Sequence, residues 1–206
     1  MIISLVNQKG GVGKTTIAIN LADCLSRKNY HTLLIDGDPQ GSVLQWQSIA
    51  NTEAFEVKHY PSPSFDSSIR DLAKGYDHVV VDAPPAMGEI TRSILAVSRL
   101  AIIPIGPSPL DIWSSKETLS LLRQARKRNR NLKGKLVITR KIPTTRLARE
   151  AREATETYGM EVFQTEISQR IAFVEAMISG LSVLQYAPNS KAAREIESLC
   201  EEVVIQ

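Results

Sequence analysis

An apolar run at residues 2–6 passes directly into Gln8-Lys9-Gly10-Gly11-Val12-Gly13-Lys14-Thr15-Thr16, and a helical pattern follows over 14–27. Strand, glycine loop and helix in that order permit few folds. The glycines let the backbone N–H groups turn inward around an anion, and the start of the following helix adds the positive end of its dipole. Residues Gly10, Gly11, Val12, Gly13 and Thr16 would line such a cradle. Lys14 would reach the β- and γ-phosphates and the Thr15 hydroxyl would ligate Mg²⁺. The loop therefore points to ATP and Mg²⁺ as ligands.

The rest of the chain repeats the alternation. Short runs rich in β-branched residues recur at 32–35, 78–81, 100–105 and 136–139, with weaker ones near 55–60 and 161–165. Continuous apolar strands of this kind are buried on both faces, so the spacing predicts a doubly wound α/β fold, a mostly parallel sheet flanked by helices. Helices are expected over 42–49, 67–74, 89–98, 112–128, 144–158, 170–179 and 190–204. No repeat or linker divides the 206 residues, which read as one domain.

Composition excludes several classes. No apolar run approaches the roughly 18 residues of a spanning helix, and no secretory leader is visible, which predicts a soluble, cytoplasmic protein without a membrane role. The two cysteines, Cys24 and Cys200, form no Cys-x-x-Cys pair and read as plain core or surface thiols.

Two aspartate segments stand at strand ends. Asp36-Gly37-Asp38-Pro39-Gln40 closes the second strand, and His78-Val79-Val80-Val81-Asp82-Ala83-Pro84-Pro85 closes the third. Ligands of doubly wound folds gather at this edge of the sheet. An aspartate ending an apolar strand fits a carboxylate that holds Mg²⁺ through water, which makes Asp82 a metal candidate.

Gln8 and Lys9 depart from the ordinary phosphate-loop pattern, in which a glycine stands at the position of Gln8. The octapeptide Lys9-Gly-Gly-Val-Gly-Lys14-Thr-Thr, followed by Asp36-Gly-Asp38-Pro-Gln and Asp82-Ala-Pro-Pro, resembles the deviant-Walker ATPases of the ParA/MinD family. The likeness is greatest to short, ParF-like partition ATPases. The resemblance implies a homodimer formed on ATP, in which Lys9 reaches the partner's nucleotide. It implies Lys14 and Asp38 as further catalytic residues, with Asp38 orienting the attacking water, and Asp36 supporting the Mg²⁺ shell. An Asp-Gly turn is the alternative reading of Asp36. The segment after the fifth strand, Pro104 to Asp111, would support the dimer, and Arg140 would lie near the nucleotide base. A plain loop is the alternative for Asp111 and Arg140.

Charge is distributed unevenly. Thirteen of the 25 Lys and Arg residues fall within 116–152, beside only two acids, in a chain of net charge +3. Arg123, Arg126, Lys127, Arg128 and Arg130 cluster at the end of one expected helix, and Arg146, Arg149 and Arg152 recur at three-residue spacing, which shares a helical face. With Arg170 they would form a surface for non-specific DNA, driven by phosphate neutralisation. No base-reading motif accompanies them. The expected activity is partner- and DNA-stimulated ATP hydrolysis by a nucleoid-associated partition ATPase. A centromere-binding, ParB-type adaptor would stimulate it to segregate plasmid or chromosome DNA. Two alternatives remain at this point: positioning of a protein organelle or complex over the nucleoid, and a metabolic enzyme acting on an anionic small substrate.

Overall fold

β1 (Ile2–Leu5) runs through the glycine loop into α1 (Lys14–Arg27), followed by β2 (Thr32–Asp36), α2 (Ser42–Ile49), β3 (Glu56–His59), α3 (Phe65–Leu72) and β4 (His78–Asp82). The second half contains α4 (Glu89–Val97), β5 (Leu100–Ile105), α5 (Pro109–Arg128), β6 (Lys133–Ile138) and β7 (Glu161–Val162). The chain ends in α6 (Ile171–Ile178), the short α7 (Val183–Tyr186) and α8 (Lys191–Val204). This computed structural model describes residues 1–50, 54–86, 88–142, 152 and 159–206. The helix expected over 144–158 lies outside the described residues, apart from Arg152.

The strands form one sheet in the order β3-β2-β4-β1-β5-β6-β7, with every pair parallel. The doubly wound expectation holds. The chain winds outward in one direction from β1 to β3 and in the other from β5 to β7, so the switch point lies at β1, where the glycine loop leaves the sheet. Every residue of β2, β4 and β5 is buried, which is why these strands read as unbroken apolar runs.

Two apolar clusters cover the sheet. On one face α1, α2, α6, α7 and α8 contribute Ile17, Leu21, Trp46, Phe173, Leu184 and Ile196. On the other, α3, α4 and α5 contribute Phe65, Ile69, Ile94, Leu119 and Leu122. Full burial of one such side chain is worth about 1.5–3 kcal/mol.

Several boundaries move. β6 begins at Lys133 because the backbones of Lys133 and Lys135 pair with Leu100 and Ile102, despite side chains that break the apolar pattern. α5 starts at Pro109, where the Ser108 hydroxyl accepts the Asp111 N–H at 3.2 Å. The short α7 was not foreseen. It is fixed by a capping box between Ser182 and Gln185, and by Ser182 donating to Asp23 of α1 at 2.5 Å. The two cysteines, far apart in sequence, are buried in the same apolar cluster, one on α1 and one on α8.

Gly180 closes α6 at φ 65°, and a Cβ there would stand 2.5 Å from the Ile49 carbonyl oxygen. Gly180→Ala therefore combines a left-handed backbone with a backbone clash. A destabilisation of roughly 2–4 kcal/mol is expected, read as a lower midpoint in urea unfolding; an unchanged midpoint would show that the α2–α6 contact yields freely.

Candidate nucleotide site

The site assembles where strand ends and loop meet. Leu5 of β1 pairs with Asp82 of β4, which in turn pairs with Asp36 of β2. Gly11 and Gly13 have φ of 71° and 93°, a region that side chains rarely adopt. The Gly13 carbonyl accepts the Ile17 N–H at 2.9 Å and begins α1. Asn7, buried at the end of β1, donates to the Pro104 carbonyl at 2.7 Å and accepts the Lys9 N–H at 3.0 Å. The Thr139 hydroxyl lies 3.0 Å from the Val12 carbonyl. The loop is thus braced before any ligand arrives.

Lys14 is buried, with its ammonium 3.5 Å from the Lys9 carbonyl. Desolvation pulls its pKa below the ordinary lysine value, against the attraction of Asp82 and Asp38. The Thr15 hydroxyl donates to Asp82 Oδ2 at 2.6 Å. Burial pushes the Asp82 carboxyl up to about 7, even though Thr15 and Lys14 oppose the shift. Its Oδ1 has no hydrogen-bond partner among the described residues. A buried carboxylate with an idle oxygen beside a threonine hydroxyl fits Mg²⁺, which takes one or two protein ligands and completes its octahedron with phosphate and water.

Asp36 is bound mainly to backbone. Its Oδ1 accepts the Asp38 N–H at 3.1 Å, and its Oδ2 accepts those of Val43 and Leu44 at 2.9 and 3.1 Å. The carboxylate is fully buried and caps α2, whose own N-cap, Gly41, has no side chain to do so. In this structure Asp36 serves as a helix cap, with three of its accepting positions taken by backbone N–H groups and one on Oδ1 left for the Mg²⁺ shell that the sequence suggests. Asp38 is half-buried, its Oδ1 accepting the Gln40 N–H at 3.0 Å in a local turn.

Lys9 is turned toward its own chain, where its ammonium pairs with the Asp111 carboxylate in the first turn of α5. That carboxylate packs against Gly106, where a Cβ would collide with it. Asp111 is thus more than a loop residue. Arg140, at φ 55°, donates to the Gly11 carbonyl at 3.3 Å. It borders a pocket of about 220 Å³ beside the loop, shared with Thr16, Gln169, Phe173 and Val174. The pocket has the size and apolar wall for a nucleotide base. Phe173 and Gln169 were not singled out from the sequence, because an apolar residue in α6 carries no mark that separates pocket from core.

A model of the CobQ/CobB/MinD/ParA nucleotide binding domain matches residues 3–183. The chain belongs to this family. Its members of the ParA/MinD type are ATPases that dimerise on ATP, and the ligands of the site are ATP and Mg²⁺. Among curated relatives, the maintenance of carboxysome distribution protein A of Halothiobacillus neapolitanus is 33% identical over 207 residues, covering 98% of this chain and 95% of that protein. The chromosome-partitioning ATPase Soj of Thermus thermophilus is 29% identical over 236 residues, covering 98% and 95%. The same fold occurs in a Borrelia burgdorferi B31 structure described as a putative plasmid partition protein bound to AMPPNP. Its TM-score is 0.81 at 23% identity, over 99% of this chain and 98% of that one.

The expected DNA residues divide. Arg123, Arg126, Lys127, Arg128 and Arg130 are exposed at the end of α5 and in the turn after it. Arg146 and Arg149 lie outside the described residues. Arg152 donates to Glu166 and to the carbonyls of Phe163 and Gln164, and Arg170 holds Glu195 at 2.6 Å beside the base pocket. Both side chains are half-buried and hold half-buried glutamates, so they act as braces within the fold, unlike the exposed cations of α5.

Asp82→Asn tests the buried charge. Above pH 7 the ligand-free chain must hold an ionised carboxylate out of water, a cost the amide removes. Apo stability is expected to rise on the order of 1–3 kcal/mol, while affinity for Mg·ATP falls at least about tenfold. Thermal melts with and without Mg·ATP would show the opposite signs.

Proposed function

We propose that this chain is an ATP-driven positioning ATPase, which distributes a protein body of the carboxysome kind over nucleoid DNA. The observation that carries this reading is the match to the Halothiobacillus protein. Its alignment spans 207 positions against a chain of 206 residues, whereas the Soj alignment stretches to 236. Partition of plasmid or chromosome DNA with a centromere-binding, ParB-type adaptor is the second reading, favoured by the Soj relatives.

The chemistry follows from the site residues. Bound Mg·ATP supplies the transferable phosphoryl group and the cation that neutralises it. Lys14 and the loop amides hold the β- and γ-phosphates; Thr15 and Asp82 hold Mg²⁺. Asp38 orients the attacking water. Lys9 leaves Asp111 and enters the partner's site, where it stabilises charge on the transferred group. Arg123, Arg126, Lys127, Arg128 and Arg130 then place the dimer on DNA. Hydrolysis returns Lys9 to its own chain and releases the DNA, so a cargo-linked adaptor that stimulates hydrolysis follows a receding gradient.

In Lys9→Ala, adaptor- and DNA-stimulated ATPase should fall on the order of 10³-fold while nucleotide still binds; undiminished stimulation removes the trans-lysine role. Deletion of the gene should collapse a protein body into clusters or to one pole under fluorescence microscopy. Plasmid loss or anucleate cells with normally spaced protein bodies would favour the second reading.

A further inference from the structure

Between α3, α4 and α5, on the face of the sheet opposite α1, lies a groove of about 630 Å³. Arg92 of α4 lines it across from Lys127 and Arg128 of α5, over a floor that includes Ala96 and Leu121. Arg92 is exposed and lies outside the basic stretch at 116–152. Among the described residues no ion pair engages Arg92, Lys127 or Arg128. Of the two carboxylates in the groove, Asp66 is occupied by the Ser93 hydroxyl at 2.8 Å, and Glu89 stands on the first turn of α4.

Two sets of bonds make this a fixed, coupled surface. The Asn129 side chain donates to the carbonyls of Leu95 and Ser98 at 3.2 and 2.8 Å, clamping the end of α5 to the end of α4. At the other end of α4, the Arg92 N–H donates to the Gly88 carbonyl at 3.2 Å and the Thr91 hydroxyl to the Ala86 carbonyl at 2.7 Å. Ala86 and Gly88 belong to the turn that leaves Asp82. The helix that carries Arg92 is therefore hydrogen-bonded to the segment next to the metal carboxylate.

We infer that Arg92 binds a DNA phosphate together with Lys127 and Arg128, and that this contact couples DNA to the nucleotide site through the first turn of α4. The inference rests on the DNA-binding reading above and extends it onto a second helix. A polyanion is favoured over a short acidic segment because the groove cations continue into exposed Arg123, Arg126 and Arg130, more positive charge than a short segment would neutralise. Reciprocity requires that ATP strengthen DNA binding by the factor with which DNA strengthens ATP binding.

The test measures binding of a fluorescent, sequence-unrelated DNA duplex by anisotropy over a salt series, with and without Mg·ATP. Arg92→Ala should weaken ATP-dependent binding about tenfold and flatten the slope of log affinity against log salt by about two per dimer. Arg92→Lys should restore most of both, and the strengthening of ATP binding by DNA should shrink in Arg92→Ala. Arg194→Ala removes the same charge from exposed α8 on the opposite face and should match the wild type. Equal losses in both variants, or none in Arg92→Ala, would overturn the assignment. Displacement of the duplex by polyglutamate at matched charge would also overturn it, in favour of an acidic protein ligand. A wild-type protein that binds no DNA with ATP would instead bring down the broader reading.

Discussion

The organisation of this protein depends on a carboxylate buried where water would ordinarily be required. Asp82 sits at the end of a fully buried strand, held by the Thr15 hydroxyl and facing Lys14, which is itself desolvated. Without ligand, both charges are in an unfavourable place, eased for Asp82 by the Thr15 hydroxyl and then Lys14, and for Lys14 by Asp82 and Asp38. Mg·ATP would resolve the conflict, with its cation held by Asp82 and its phosphates by Lys14. Ligand binding is thereby tied to the rigidity of the parallel sheet, because β1 and β4 set the spacing of the two groups.

The loop around this pair is prepared in advance. Asn7, just after β1, and Thr139 and Arg140, just after β6, engage loop backbone from two sides, so the glycines contribute their conformational freedom without leaving the loop free. Asp36 performs a similar service for the second strand end. By capping α2 it fixes the turn that presents Asp38, so of two acidic residues one position apart, one shapes the loop and the other is left for the proposed water-orienting role. Lys9 is the exception to this rigidity: it is half-exposed and paired with Asp111 at the start of α5. A pair left partly open to solvent is weak, which suits the change of partner proposed for Lys9.

α5 connects the two functions at opposite ends. Its first turn holds the Lys9 partner, and its last turn carries the exposed arginines and lysine. α4, packed beside it, begins next to the Asp82 turn and is clamped to α5 through Asn129. The layer of α3, α4 and α5 thus spans the distance over which the proposed coupling of nucleotide and basic surface would act. The other layer, with α1, α2, α6, α7 and α8, borders the pocket beside the loop that Arg140 and Phe173 line.

The phosphate cradle, the parallel sheet and the aspartates at its edge were all legible in the sequence, because each depends on local chemistry. Glycine permits left-handed backbone, unbroken β-branched runs require burial on both faces, and an aspartate ending such a run has few structural uses. Only the tertiary structure decided what the charged residues do. Arg152 and Arg170 look like Arg126 and Arg128 in sequence, yet their acceptors, Glu166 and Glu195, lie 14 and 25 residues away and arrive only through packing. Asp36 became a helix cap for the same reason, and Arg92, isolated in sequence, joined the basic residues of α5 across a groove. Backbone preferences are local and can be read along the chain; the partners of a charge are set by the fold.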